Sequence, residues 1–148
     1  SDVTLSLLLE YGFLYDSSLF AGDYHPYRPR LGDLVSVEQP LQMGEEVDSW
    51  EFPVDFSLDD WPHFTFNFDP HRVGLSAPST VLEIWTGELD YMLEHEKDGV
   101  LTVTMHPQVI GRGHRMMLVE QFIQHALSTG KVRFARMGDV AQELSSGE

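Results

Sequence analysis

The stretch VTMHPQVIGRGHR, residues 103–115, decides how the chain is interpreted. It begins inside VLTVTM, residues 100–105, an alternating apolar segment that predicts a β-strand. The strand runs directly into His106 and Pro107, and a loop rich in glycine and arginine follows. Because α/β folds place their chemistry at the carboxyl ends of strands, His106 is a candidate functional residue. A histidine bonded to a nearby carbonyl is the competing interpretation.

Helical and extended segments alternate through the second half of the chain. The predicted elements are a helix at 80–95, the strand at 100–105, a helix ending at Gly130, a strand at 131–135 and a helix opening near Asp139. Thr80 and Glu83 predict a capping box at the start of the first of these helices. This rhythm is typical of a parallel α/β sheet or barrel.

The first half of the chain is less regular. A helix over residues 2–11 is expected to end at Gly12, and short strands are expected at 13–15, 34–40 and 49–56. Residues 57–79 are predicted to form a long aromatic loop. Since an α/β unit normally opens with a strand, two interpretations stay open: the later part of a larger barrel, or a small complete domain with an N-terminal helix.

Composition restricts the partners of the protein. The 148 residues carry a formal net charge of −15, which disfavours nucleic acid and anionic membranes as partners. With no cysteine, structural disulfides and thiolate metal sites are impossible, which fits a reducing compartment, and a cytoplasmic location is expected. No apolar run is long enough to span a bilayer. The oligomeric state stays open, and a homo-oligomer is one possibility.

Asp59, Asp60 and Trp61 form a second candidate site. Two adjacent carboxylates can pair with an arginine, and an indole can offer a flat wall to a sugar. A solvated loop with a buried tryptophan is the competing interpretation. No serine-nucleophile or phosphate-binding motif occurs. Among the histidines and carboxylates, His63, Asp69 and His71 are the best local candidates for metal ligands, but their spacing matches no known metal motif. We therefore predict no metal site within this chain.

Three motifs together resemble one family. GFLYDSSL (12–19), EFPVDFSLDDWPHF (51–64) and MHPQVIGRGHRMMLVEQFI (105–123) are similar to the polysaccharide deacetylases of the NodB-homology class, in the branch that includes peptidoglycan deacetylases and allantoinases. The resemblance covers nearly the whole chain. It implies the second half of a distorted barrel of about seven or eight (β/α) units, related to the TIM barrel. Residues 1–148 would then be the C-terminal portion of a single catalytic domain.

The resemblance also implies a reaction and roles for particular residues. The reaction is metal-dependent hydrolysis of a carbon–nitrogen (amide) bond, as in N-deacetylation of a carbohydrate, with zinc as the expected divalent metal. His106 would donate a proton to the leaving amine. Asp59, Asp60 and Trp61 would bind the substrate or orient an active-site arginine, with one carboxylate on the arginine and the indole as a wall beside the substrate. Tyr15 and Asp16 would lie near the site in a structural role.

The chain departs from the family pattern in one respect. In the family, the catalytic base, the metal ligands and the arginine motif all precede the segment that corresponds to GFLYDSS, and this sequence contains none of them. The resemblance therefore implies an N-terminal half of the barrel upstream, without which residues 1–148 would be inactive. Two other functions stay open: allantoinase-like hydrolysis of a small cyclic amide, and a non-catalytic fragment that binds carbohydrate or forms an interface.

Overall fold

The fold mixes short strands with longer helices. The computed structural model describes residues 2–69 and 71–147. The helices of this part of the chain are α1 (Asp2–Glu10), α2 (Asp60–Phe64), α3 (Pro78–His95), α4 (Pro107–Ile110), α5 (Gly113–Ser128), α6 (Met137–Ser146) and a 3-10 helix (Phe56–Leu58). The strands are β1 (Tyr15–Asp16), β2 (Arg30–Leu31), β3 (Glu45–Glu46), β4 (Trp50–Glu51), β5 (Phe66–Phe68) and β6 (His71–Val73). The predicted mixed α/β class is confirmed.

The chain divides into two compact units. The first unit combines Ser1–Pro53 with Ala135–Glu148, and the second consists of Val54–Phe134. Each unit has a buried core of its own. No helix in the described part of the chain combines the length and the apolar character needed to cross a membrane.

In the first unit, β1 and β4 pair in parallel, with Tyr15 opposite Trp50. β2 and β3 pair antiparallel. Helix α1 ends as predicted, because Gly12 takes a positive φ of 68°, which a residue with a side chain rarely adopts. The core of this unit includes the buried side chains of Leu5, Phe52 and Ala141.

In the second unit, α3 and α5 pack against each other. Their facing residues follow the helical spacing read from the sequence. The buried apolar side chains of this unit are Leu58, Phe64, Val81, Trp85, Leu89, Met92, Val109, Ile110, Leu118, Val119, Phe122 and Ala126. Trp85 and Phe122 meet edge to face with their ring centroids 5.7 Å apart. Both predicted helices are therefore confirmed, and Gly130 follows the second with a φ of 66°.

The predicted capping box is wrong. Helix α3 begins two residues before Thr80, with Ala77 at the N-cap and Pro78 in its first turn. Proline suits this position because its fixed φ is helical and its missing N–H would have no partner there.

Several predicted strands are shorter than expected. Residues 100–105 pair only through one parallel bridge in the described structure, between Thr104 and Asp59, and residues 131–135 form no described strand. Apolar alternation produces a strand only where a partner strand supplies hydrogen bonds. The predicted loop at 57–79 is also wrong. It contains α2 and an antiparallel hairpin of β5 and β6.

Candidate active site

Two aspartates shape the backbone that carries the candidate site. Asp55 caps the 3-10 helix, since its side chain accepts a 2.6 Å hydrogen bond from the Ser57 amide. Asp59 caps α2 in the same way, accepting a 2.7 Å hydrogen bond from the Trp61 amide. Carboxylates are favoured at both positions because they satisfy amides that have no partner inside the helix.

Asp60 follows as the first residue of α2 and is completely buried, at 0% exposure. Its amide donates to the Thr104 carbonyl at 3.1 Å, and the Thr104 amide donates to the Leu58 carbonyl at 2.9 Å. This bridge aligns residues 58–60 with the extended segment that ends at His106. It brings together residues that the sequence separates by more than 40 positions.

The Asp60 carboxylate holds His106 through two groups. The imidazole Nδ1 lies 2.7 Å from Asp60 Oδ1, and the His106 amide lies 3.1 Å from each Asp60 oxygen. Because a carboxylate accepts these bonds, Nδ1 is the nitrogen that carries the proton. Nε2 is then the ring nitrogen available to a substrate. The His106 side chain is about one-third exposed, at 34%.

Trp61 stands beside the imidazole. The two ring centroids are 5.1 Å apart with an interplanar angle of 64°, an edge-to-face contact. Both rings line a cavity of about 420 Å³, whose other lining residues are Phe56, Asp59, Pro62, Thr65 and Gly74. The cavity therefore has apolar walls with an imidazole and a carboxylate among them, as small-molecule sites commonly do.

Gly74 closes one side of this cavity through a close backbone approach. Its amide donates to the Thr65 carbonyl at 3.0 Å. A Cβ at this position would lie 2.3 Å from the Pro62 carbonyl oxygen and 2.8 Å from the Thr65 carbonyl oxygen. The position therefore requires glycine.

The structure brings together four of the predicted site residues: Asp59, Asp60, Trp61 and His106. Their catalytic and binding roles stay predictions. The sequence did not identify the remaining cavity residues, because Pro62, Thr65 and Gly74 lie in the predicted loop at 57–79 and Phe56 lies in a predicted strand. The sequence around Gly74 indicates a turn, but it does not indicate that the Pro62 and Thr65 carbonyl oxygens lie against this glycine.

Asp59, Asp60 and His106 also form a group with the chemistry of metal ligands. One ligand atom from each lies within 4.8 Å of the others, and the described residues contain no other such group. The hydrogen bonds, however, do not fit a resident metal. Both Asp60 oxygens accept from His106, Nδ1 is occupied by that bond, and Asp59 Oδ1 accepts the α2 cap bond. A metal here would displace the bonds that build the site.

The structure describes only part of the candidate cluster of His63, Asp69 and His71, which therefore stays untested. His63 lies in the last turn of α2, and its Nε2 lies 2.8 Å from the Ser57 carbonyl oxygen. The side chain of His71 lies outside the described residues.

Tyr15 and Asp16 lie in the first unit, where they have structural contacts. The Tyr15 ring packs edge to face against Phe52, with centroids 5.5 Å apart. The Asp16 carbonyl accepts from the Phe52 amide at 2.9 Å, and its carboxylate accepts from the Ser18 hydroxyl at 2.6 Å. Their predicted proximity to the site stays a prediction.

The first unit also contains a buried carboxyl that the sequence did not single out. Glu51 is 0% exposed, and its Oε1 accepts from the amides of Ser18 and Leu19, each at 2.7 Å. Oε2 is buried without a hydrogen-bond partner in the described structure. Burial raises the pKa of Glu51, and the nearby Asp16 raises it further, while the two amide bonds lower it.

Comparisons with known proteins agree with the motifs. The chain is 31% identical to the peptidoglycan deacetylase of Helicobacter pylori, over 97% of this chain and 53% of that protein. A solved polysaccharide deacetylase from Mycobacterium smegmatis is 32% identical, with a TM-score of 0.77, over 97% of this chain and 45% of its own. A solved allantoinase shares the fold, with a TM-score of 0.67 at 21% identity, over 95% of this chain and 41% of its own. No protein-family model matches the chain.

These likenesses relate the chain to the polysaccharide deacetylases, a NodB-like family, and confirm the resemblance read from the three motifs. The chain spans about half the length of the relatives it matches.

Proposed function

We propose that this chain supplies the proton-donating part of a metal-dependent amide hydrolase that removes an N-acetyl group from a carbohydrate. The observation that carries the proposal is the buried Asp60 carboxylate holding His106, 2.7 Å from Nδ1, at the wall of a cavity. Both residues lie in motifs that suggested the deacetylase family. The names of the Helicobacter pylori and Mycobacterium smegmatis relatives support the same chemistry.

The proton transfer follows from the hydrogen bonds. Hydrolysis adds a water oxygen to the acyl carbon and breaks the carbon–nitrogen bond, which releases acetate and an amine. An amine is a poor leaving group, so its nitrogen must receive a proton as the bond breaks. His106 Nε2 gives that proton, while Asp60 holds Nδ1 and stabilises the doubly protonated ring that precedes the transfer. Such an acid contributes about 10²–10⁴-fold to the rate.

The remaining chemistry belongs to residues outside this sequence. The zinc ion, held by ligands outside this sequence, would supply activation of the attacking water and polarisation of the acyl oxygen. We place its ligands, the catalytic base and the arginine that Asp59 or Asp60 would orient in the N-terminal half of a distorted (β/α) barrel. Residues 1–148 would form the later part of the same catalytic domain and would be inactive alone.

The cavity supports a sugar as the substrate. Its volume of about 420 Å³ suits one monosaccharide unit, and Trp61 offers an apolar ring face of the kind that packs against sugars. Asp59, at 20% exposure, adds a hydrogen-bond acceptor for hydroxyl groups. The shared fold with an allantoinase makes a small cyclic amide the alternative substrate class.

The test uses the complete protein with added zinc. N-acetylglucosamine oligomers should release acetate, and allantoin should remain intact. His106→Ala should lower turnover by about 10²–10⁴-fold while the bound zinc, measured by elemental analysis, is unchanged. The matched control is His125→Ala, because His125 pairs with Asp90 between α5 and α3 and does not line the cavity.

Three results would contradict the proposal. Hydrolysis of allantoin alone would replace the carbohydrate with a cyclic amide. Loss of zinc in His106→Ala would make His106 a ligand instead of an acid. Binding of the oligomers without acetate release, with zinc present, would favour a non-catalytic carbohydrate-binding protein.

A further inference from the structure

Arg115 links the two segments that carry the Asp60–His106 pair. It lies in α5, and its Nη1 donates to the Val109 carbonyl in α4 at 2.7 Å. Its Nη2 donates to the Phe64 carbonyl at the end of α2 at 3.4 Å, with the guanidinium carbon 4.6 Å from the centre of the Phe64 ring. One side chain therefore contacts both short helices.

These contacts can affect the Asp60–His106 pair, because each member of the pair lies at the start of one of the two helices. Helix α2 begins at Asp60, and His106 is the N-cap of α4. Helices of five and four residues are too short to hold their orientation by internal hydrogen bonds alone. Their relative placement depends on the groups that connect them, and the Arg115 guanidinium bonds a carbonyl of each.

Arg115 is half-buried, and the burial of its Nε supports a fixed guanidinium. Its Nε is buried and has no hydrogen-bond partner in the described structure. A buried, unpaired donor on a cation is unfavourable, so the bonds to Val109 and Phe64 and the contact with the Phe64 ring must offset that cost. Arginine suits this role because its planar fork donates in two directions, whereas lysine offers a single ammonium group.

We propose that Arg115 is a positioning residue that clamps α2 to α4 and so fixes His106 against Asp60. Its effect on catalysis rests on the proposed function, but its effect on the Asp60–His106 geometry does not. The hydrogen bonds of the Arg115 guanidinium go to Val109 and Phe64 and to neither member of the pair, so its effect on the pair is transmitted through those two residues.

Hydrogen exchange tests the clamp directly. In the wild-type protein, the His106 amide is protected by its bonds to the Asp60 carboxylate. Arg115→Met keeps the aliphatic stem and removes every donor, so exchange at the His106 amide should accelerate about tenfold, the effect of losing one ordinary hydrogen bond. The amide of Leu89, inside α3, should be unaffected. Arg115→Lys restores one donor and should show a smaller change in the same direction.

Two comparisons separate positioning from general destabilisation. Lys97→Met makes the same change of charge at a side chain that is 93% exposed, and it should leave exchange at His106 unchanged. If Arg115→Met accelerates exchange at Leu89 as much as at His106, or leaves His106 unchanged, the proposal is wrong. If Arg115→Met does not fold, Arg115→Lys decides on the same criterion.

Kinetics of the complete protein give the catalytic consequence. Misplacing the acid by about 1 Å costs about 10²-fold. Arg115→Met should therefore lower kcat with KM nearly unchanged, and Arg115→Lys should recover part of the loss. Failure of the two proposals is distinguishable. If the wild-type protein does not deacetylate the oligomers, the proposed function is wrong. If hydrogen exchange at the His106 amide is unchanged in Arg115→Met, the clamp is wrong.

Discussion

Replacing Asp60 by asparagine should loosen the site with almost no change of shape. The Asp60 carboxylate accepts the His106 ring N–H on Oδ1 and the His106 amide on both oxygens. Asparagine keeps one acceptor oxygen and places an NH₂ group where the other oxygen was. Because both groups of His106 are donors and the amide contacts both oxygens, either orientation of the asparagine sets its NH₂ group against a donor.

The expected cost follows from these bonds. A hydrogen bond to a charged group contributes about 1.5–3 kcal/mol, and a buried donor left without an acceptor costs a similar amount. Asp60 is 0% exposed, so water cannot replace the lost acceptor. Asp60→Asn should therefore lower the free energy of unfolding by about 1.5–3 kcal/mol. Asp59→Asn is the matched control and should cost less than about 0.5 kcal/mol, because asparagine caps a helix as well as aspartate does.

The assay is urea unfolding followed by tryptophan fluorescence. The chain has three tryptophans, of which Trp61 and Trp85 lie in the second unit. Carrying Trp50→Phe in every variant confines the signal to that unit. Equal losses for Asp60→Asn and Asp59→Asn would refute the argument, since the bonds to His106 would then contribute nothing beyond an ordinary helix cap.

Other substitutions test the packing and the buried charge. Gly87→Ala, inside α3 with open space around it, should stabilise the protein by about 0.5–1 kcal/mol. Gly74→Ala should destabilise it by about 1–3 kcal/mol, because its Cβ meets the Pro62 carbonyl. Chemical denaturation measures both changes, and changes of the same sign would contradict the packing described for the two glycines. Trp85→Ala should cost about 3–5 kcal/mol in the same assay, and a loss below about 1 kcal/mol would contradict its place in the core. Burial raises the pKa of Glu51 above its usual 4.5, so the folded state keeps a proton that the unfolded state loses, and stability should fall as the pH rises from about 4.5 through the raised pKa. Glu51→Gln should remove that fall. If the wild-type protein and Glu51→Gln show the same dependence of denaturation on pH, the effect assigned to Glu51 is wrong.

The sequence predicted the longer helices well because their signals are local. The spacing of apolar residues around Trp85 and Phe122 reflects one buried face of each helix, and Gly12 and Gly130 mark helix ends through a conformation that glycine favours. The start of α3 was misplaced by two residues, because Thr80 imitates a cap while Pro78 begins the helix.

The strands and the site geometry could not be predicted as well, because they depend on pairing between distant residues. Alternation at 100–105 indicates an extended segment but does not reveal that only Thr104 bridges to Asp59. The motifs indicated that Asp60 and His106 belong to one site. They did not indicate that Asp60 is completely buried and bonds both the ring and the amide of His106.

The role of His106 as the proton donor is tested most directly by changing the leaving group. The complete protein and its His106→Ala variant would be compared on an N-acetylglucosamine oligomer and on 4-nitrophenyl acetate. Nitrophenolate leaves without a proton, whereas an amine does not. If His106 donates the proton, His106→Ala should lose about 10²–10⁴-fold on the amide and less than about tenfold on the ester. Equal losses on both substrates would contradict it and would assign His106 to another step.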